Sequence, residues 1–457
     1  MTKFKTSIFV FRRDLRLQDN TALISALKLS EKVIPLFIFD KKQRNHDYFS
    51  NNAFEFMINS LKELQNELRT KGADLLMKEG NKVLILKDLK ELTSFDALFV
   101  NEDYTPFSKK RDEELKEFCK QNNISFHSFH DYLINEPSTV LNKSGEPFKV
   151  FSAFHREAIK KEVKKPFNNN FTNYFCPKIK SVNLNDFFKE TVSESNKDLM
   201  VKGGRKEALT LLNELKNKND YETHRNYVYE DATSKLSAHL KFGTISIRET
   251  YWFLNNNFFF GHPLTTQLYW RDFFTHIAYF YPEVFGRAFK EKYDKIKWRG
   301  TNKEFEAWKN GKTGFPLVDA GMRQLNKTGW MHGRTRMLVG AFLVKNLGVD
   351  WRLGEKYFAQ KLVDYDPCVN NGNWQWVAST GCDAQPYFRV FNPLLQQQKF
   401  DPDCEYIKEH VEELRGVDAK KIRSIISTPI KEYPEPIVDY SESVKKAKKS
   451  FKEALHH

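Results

Sequence analysis

Four short apolar runs within the first 130 residues constrain this chain more than any other feature. They are SIFVF at 7–11, VIPLFIF at 33–39, ADLLM at 73–77 and DALFV at 96–100. None alternates apolar with polar residues, so each reads as a strand covered on both faces, the pattern of a parallel sheet. Between them, 52–69 and 109–121 carry apolar residues at helical spacing. Strand–helix alternation of this kind predicts a doubly wound α/β domain over 1–130, with any ligand at the carboxyl ends of the strands. Neither GxGxxG nor GxxxxGK[ST] occurs, so the usual dinucleotide and P-loop readings have no support.

The pattern then changes. Pro137, Pro147, Pro166 and Pro177, the Asn168–Asn170 run and the polar 193–198 mark 131–204 as a long connector with a helix near 150–163. From Gly203 onward the strand runs vanish. Helical periodicity over 205–216, 267–280, 316–325 and 334–346 predicts an all-α domain spanning 205–440, its helices separated by Gly and Asn at 311–314, 326–329 and 370–373. A short basic tail, 441–457, closes the chain, with an amphipathic helix expected over 444–457. The expected fold is therefore an α/β parallel-sheet domain joined by a long linker to a larger helical domain.

Charge bears on partners. Lys and Arg exceed Asp and Glu by 14, which suits a polyanion, since each cation on a phosphate releases a condensed counterion. The same excess can simply keep a protein in solution. Aromatic residues make up 14% of the chain, more than packing alone asks. The five cysteines (119, 176, 368, 382 and 404) form no CxxC pair, which argues against a disulfide framework, zinc or an iron–sulfur cluster and for a reducing compartment. The apolar 7–11 run is followed at once by Arg12 and Arg13, so it reads as a buried strand rather than a signal peptide. An intracellular protein with no membrane span is expected, cytoplasmic or, in a eukaryote, nuclear.

Three segments have residues suited to chemistry. Thr233-Ser234-Lys235-Leu236-Ser237 gathers hydroxyls at an expected helix start, where free N–H groups can cradle an anion or the hydroxyls can serve as a plain cap. Arg334 and Arg336 are two apart and face different ways, one able to reach a phosphate while the other pairs inward. Downstream, Asp364-Tyr365-Asp366 precedes Asn370-Asn371-Gly372-Asn373-Trp374-Gln375-Trp376. A carboxylate there can hold an arginine and bind a heterocycle's N–H groups, or the block can be a structural ion pair and an Asn-rich turn. His332 reads as a core or supporting histidine rather than an acid catalyst. Aromatics at 269–270, 330, 374 and 376 can be core, or can wall a pocket for bases turned out of a duplex.

Together these segments resemble the photolyase/cryptochrome flavoproteins. TSKLS, LYWRDFF, GKTGFPLVDAGMRQL, TGWMH, RxRM, DYDPxxNNGNWQW and DAQPYFRVFNP stand in that family's order and spacing, and FVFRRDLRLQDNTAL at 9–23 is similar to its N-terminal signature. The likeness runs from about residue 5 to 440 and is nearest to the class I members that repair cyclobutane pyrimidine dimers. It implies an α/β antenna domain, a linker and a helical FAD domain. It also implies that Tyr221, Thr233, Ser234, Leu236 and Ser237 hold the FAD pyrophosphate and sugar, with Arg271 among the cofactor contacts. Arg336 and Asp364 would pair beside the isoalloxazine, Asp366 would bind its polar edge or ribitol side, and Asn370 would face flavin N5. Trp374, Trp351 and Trp298 would form an electron path from flavin to surface through stacked rings. Trp270, Trp376 and Met337 would line the pocket for a flipped dimer, while Arg225, Arg334 and Arg389 would contact phosphates of UV-damaged DNA. The resemblance implies light-driven repair by a monomer with no obligate protein partner.

Two positions depart from the class I pattern. Gln267 stands where dimer-repairing members carry Glu, and Gly333 where they carry Asn. Gln267 is a feature of (6–4) photoproduct repair, but that chemistry needs histidines where Gly333 and Met337 stand. The stronger rival is a cryptochrome light sensor; only about 20 residues follow the end of the likeness near 440, which favours the enzyme. A second, antenna chromophore (a deazaflavin, a flavin or a folate) stays open, because Phe107 and Ser108 replace the Asn–Glu pair of folate-binding members.

Overall fold

The first apolar run takes the middle of the sheet. In the computed structural model, which describes residues 3–192, 194–218 and 220–455, β1 (Phe4–Phe11), β2 (Ser30–Phe39), β3 (Leu76–Glu79), β4 (Ala97–Asn101) and β5 (Ser125–Phe129) pair in the order β3-β2-β1-β4-β5. Every pairing is parallel, with Phe9 opposite Pro35 on one side and Phe99 on the other. Helices α1 (Thr21–Leu29), α2 (Asn51–Thr70), α3 (Lys82–Thr93) and α4 (Pro106–Gln121) follow the first four strands. Each begins on a side-chain cap, from Asn20, Ser50, Asn81 and Thr105. Ile8, Val10, Ile34, Leu36, Leu98 and Val100 lead the core on one sheet face.

Packing divides the chain into two compact units: Met1–Ser195 with Val201–Lys216 and Ser234–Phe280, and Asn196–Met200 with Asn217–Thr233 and Tyr281–His457. The first contains the sheet and α5 (Phe151–Ala158), α6 (Arg205–Glu214), α7 (Ser237–Phe242), α8 (Ile247–Asn257) and α9 (Pro263–Phe280). The second has no strand among its described residues. Its helices include α10 (Asn302–Lys309), α11 (Pro316–Thr328), α12 (Gly333–Ala341), α13 (Trp351–Lys361), α14 (Pro367–Ala378), α15 (Pro393–Phe400) and α16 (Tyr440–Leu455). Trp308, Trp351, Trp374, Phe342 and Leu343 sit in one continuous apolar core of that unit. No helix among the described residues is long and apolar enough to cross a membrane.

Two expectations are corrected. The 334–346 stretch is not one uniform helix: α12 gives way to a π-helix, Phe342–Leu347, which ends at Gly348 in the left-handed region. In this wider turn the buried Lys345 Nζ lies 2.8 Å from Ser379 Oγ, beyond the end of α14. The Asn-rich 370–373 block is no turn either; it lies inside α14, because the Asp366 side chain caps the first turn and Pro367 occupies the first helical position.

Candidate active site

The second unit is built around two facing helices, α13 and α14. Trp374 on α14 is 3% exposed and Trp351, the first residue of α13, 1%. Gly354, one turn beyond Trp351 on the same helix face, makes room for the Trp374 ring: a Cβ at Gly354 would lie 2.2 Å from Trp374 Cη2. Gly354 thus seats Trp374 on α13, and neither the Trp374 nor the Trp351 indole N–H has a hydrogen-bond acceptor among the described residues. The expected stacking is absent. Among the described residues no ring contact joins Trp374, Trp351 and Trp298; Trp374 packs edge-on against Phe358, centroids 4.9 Å apart, and against Trp308 at 6.2 Å. Trp298 is half-buried before α10, its edge against Phe451 of α16 at 6.3 Å.

Arg336 and Asp364 are brought together. The guanidinium forks onto the carboxylate, Nη2 to Oδ2 at 3.0 Å and Nη1 to Oδ1 at 3.2 Å, while its Nε donates to the Met331 carbonyl. The Asp364 side chain is 3% exposed. Arg334 turns the other way, as its spacing required. It hydrogen-bonds Asn226 and lies over the Phe400 ring, and its pKa is lowered by burial and then by nearby Arg225. The Nε groups of both Arg225 and Arg334 are buried without a hydrogen-bond partner. Two adjacent guanidiniums with no carboxylate partner among the described residues suit an incoming phosphate.

Asn370 is oriented from behind by a residue that sequence reasoning missed. Its Nδ2 donates to the Glu355 carbonyl at 3.1 Å and to Glu355 Oε1 at 3.2 Å, which leaves Oδ1 as the outward end of the amide. Asp366 uses Oδ1 to accept the Cys368 and Val369 N–H groups. Tyr221 is buried, with the Arg225 guanidinium 5.8 Å from its ring. Met337 and Trp376 are half-buried against the same core, and Arg389 is exposed. Gly333 opens α12, and a Cβ there meets nothing within 4 Å.

His332 caps α12, its Nδ1 accepting from Arg334 N at 3.0 Å. Burial, helped by the charges of Arg334 and Arg336, pushes it down to about 4. The folded chain therefore holds it neutral, whereas the unfolded chain takes up a proton near pH 6.5. This contribution is full above about pH 6.5 and is lost as pH falls toward 4. His332→Asn keeps an acceptor at the cap and removes the titration. Between pH 7 and pH 5 the variant should lose about 2 kcal/mol less stability than the parent in urea unfolding; equal losses would contradict this.

The first unit supplies its own set. The 234–237 segment leads into α7, whose N-cap residue is Leu236. Ser234 Oγ accepts from Leu236 N at 3.4 Å, and Lys235 takes a positive φ of 52°. The neighbouring Thr233, in the second unit, is half-buried, its carbonyl accepting from Lys218 Nζ. On α9, Gln267 is exposed and Trp270 half-buried, one face of its indole covered by Phe151 at 3.7 Å and 9°. Phe151 also escaped sequence reasoning, since contacts across 119 positions leave no local spacing signal. Arg271 donates to the Tyr132 and Leu240 carbonyls and lies 3.7 Å over the Tyr132 ring, which Arg13 approaches at 4.2 Å.

The sheet offers a second location. Strand order reverses between β1 and β4, and a crevice outside their carboxyl ends is lined by Arg12, Arg13, Asp103 and Tyr132, among others. This is the switch point at which doubly wound sheets bind ligands. Asn101 braces it, donating to Asp14 Oδ2 at 2.6 Å and Asn20 Oδ1 at 2.8 Å.

The chain is similar to known proteins over nearly its whole length. Residues 7–170 match the family model of DNA photolyase, and 264–453 match that of the FAD binding domain of DNA photolyase. A deoxyribodipyrimidine photo-lyase from Buchnera aphidicola is 37% identical, with 97% of this chain and 96% of that one covered. An archaeal photolyase from Sulfolobus tokodaii, crystallised with two FAD molecules, is 46% identical with a TM-score of 0.90, covering 98% of this chain and all of the other. A class III photolyase from Agrobacterium tumefaciens is 34% identical with a TM-score of 0.93, covering 100% and 99%. Sheet order, helical unit and full-length identity converge, and this chain belongs to the DNA photolyase family.

Proposed function

We propose that the chain splits cyclobutane pyrimidine dimers in UV-damaged DNA under blue light, using FAD. The observation that carries this reading is the buried Arg336–Asp364 pair together with two buried indoles, Trp374 seated against Gly354 and Trp351 one turn before that glycine on α13. The donor set suits the cofactor: hydroxyls at a helix start for the pyrophosphate, an ion pair for the polar edge of the ring, and an amide whose nitrogen end is held by Glu355. When bound, reduced FAD would supply the light-driven one-electron chemistry, with no net redox change.

The chain's own residues do the rest. Tyr221, Thr233, Ser234, Leu236 and Ser237, with Arg271, hold the phosphates and sugar. Arg336, fixed by Asp364, would place positive charge beside the flavin, with Asp366 and Asn370 as its further polar contacts. Trp374, Trp351 and Trp298 would serve as an electron path toward an oxidised cofactor. Without an acceptor for its N–H, an oxidised indole at Trp374 or Trp351 has no neighbour to take its proton, and so passes its charge outward. Trp270, with Phe151 behind it, and Trp376 would each offer a flat apolar face to a dimer whose weakened stacking lowers the cost of flipping, with Met337 as a further apolar contact. Gln267 keeps a donor and an acceptor for the bases, and the open space at Gly333 admits water in place of a side chain. Arg225, Arg334 and Arg389 bind DNA phosphates without sequence preference. The crevice beside Arg12 and Arg13 is the proposed seat of an antenna chromophore, and the second FAD of the Sulfolobus relative favours a flavin there. We assign action as an intracellular monomer.

Trp298→Phe tests the division of labour. Light should no longer reduce the oxidised cofactor in this variant, yet repair by chemically pre-reduced protein should match the parent. Photoreduction at the parent rate would remove Trp298 from the path.

A further inference from the structure

We infer that Tyr387 is the outermost redox residue of the tryptophan path, refilling Trp298 across the ring of Phe451. This rests on the reading of Trp298, Trp351 and Trp374 as an electron path.

Phe451 lies on α16 and is 1% exposed. Three oxidisable rings share it. Trp298 meets it edge-on at 6.3 Å, Tyr387 lies parallel to it at 5.9 Å and 1°, and Tyr293 approaches at 5.7 Å. Phenylalanine is too hard to oxidise to store the charge itself. Its ring instead fills the gap with packed π density, so an electron tunnels between the flanking rings without crossing water. Indole and phenol lie no further apart than the sum of those two spans.

Proton exit selects the tyrosine. A phenol yields its electron readily only if its proton leaves as well. Tyr293 is 7% exposed, its phenol is pushed up by burial and by neighbouring Tyr387, and the Lys292 ammonium lies 5.6 Å from its ring. Each of these opposes positive charge or proton release there. Tyr387 is half-buried in the loop between α14 and α15, next to exposed Phe388, where water can take the proton.

The step balances. Oxidised Trp298 gains one electron and returns to the closed-shell indole. Tyr387 loses that electron, its O–H bond breaks, and the proton passes to water, leaving a neutral tyrosyl radical. An added thiol then gives this radical a hydrogen atom and becomes a thiyl radical. Because the proton has left, return of the electron is slowed, and the light-driven reduction is retained for longer.

The test is flash excitation of the full-length, FAD-loaded, oxidised protein, followed by absorbance and by electron paramagnetic resonance. The broad indole-radical band should give way to a narrow tyrosyl band, with a resonance signal that changes shape when the protein is grown on deuterated tyrosine. Tyr387→Phe should abolish the tyrosyl signal and leave the indole radical to recombine, Phe451→Leu should slow the conversion, and Tyr293→Phe should alter neither. A tyrosyl signal that survives in Tyr387→Phe, or an indole radical in the parent that never converts, overturns the inference while leaving the tryptophan path intact. Parent-like photoreduction in Trp298→Phe overturns the path itself and this inference with it.

Discussion

Arg336→Leu is expected to yield a protein that purifies without flavin and is less stable by roughly 3–5 kcal/mol, the range for removing one partner of a buried ion pair. The cost arises at Asp364. Its side chain is 3% exposed and loses both guanidinium contacts, at 3.0 and 3.2 Å, so a buried charge is left without its arginine. The double variant Arg336→Leu, Asp364→Leu separates the two consequences. Removing both charges should restore most of the stability, because an apolar pair of similar volume is often neutral in such places. It should not restore flavin binding, because the cation at the ring edge is still missing. Urea unfolding and the ratio of flavin to protein absorbance measure the two effects. A flavin-loaded single variant would contradict the role assigned to Arg336.

The second large effect is expected from a single methyl group. Gly354→Ala places a Cβ 2.2 Å from Trp374 Cη2 and 2.6 Å from both Trp374 Cζ3 and Leu343 Cδ2. A rigid ring held between α13 and α14 has no flexible end to swing aside, and overpacking of this kind costs about 1–3 kcal/mol or more. Displacement of Trp374 also changes its spacing from Trp351, so photoreduction should slow even in protein that remains folded and loaded. Gly333→Ala is the internal control: its Cβ meets nothing within 4 Å, and stability should hold or rise by about 0.4–1 kcal/mol through a less flexible unfolded chain. Stopped illumination with absorbance readout, together with thermal melts, compares the pair. Indistinguishable behaviour of the two variants would mean that Trp374 does not depend on the α13 face.

Legibility in the sequence followed burial. β1, β2 and β4 are covered on both faces, so their apolar runs are unbroken and visible. β5, Ser125–Phe129, is an edge strand carrying polar residues that are only partly covered, and it has no such run to betray it. α1 and α3 are capped by Asn20 and Asn81, but their near-continuous apolar stretches masked the helical period. The Asn-rich block was misplaced as a turn because its composition favours loops, while the Asp366–Pro367 start that makes it helical lies just before it. In the candidate site, the Arg336–Asp364 pairing was within reach of the sequence, as were the opposed directions of Arg334 and Arg336. Glu355 behind Asn370, Phe151 behind Trp270 and Gly354 beneath Trp374 were not. Each acts through packing that only the folded chain brings about, and none sits in a pattern of its own.

The repair reaction itself offers the most direct trial. Full-length protein, chemically reduced, is illuminated with blue light in the presence of an oligonucleotide bearing one defined cyclobutane thymine dimer, with a (6–4) lesion in parallel, and the products are separated by chromatography. The cyclobutane lesion should return to two intact thymines only when light and reduced cofactor are both present, and the (6–4) lesion should remain. If a flavin-loaded, photoreducible protein leaves both lesions unchanged, the chain is a light sensor built on this fold and not a repair enzyme.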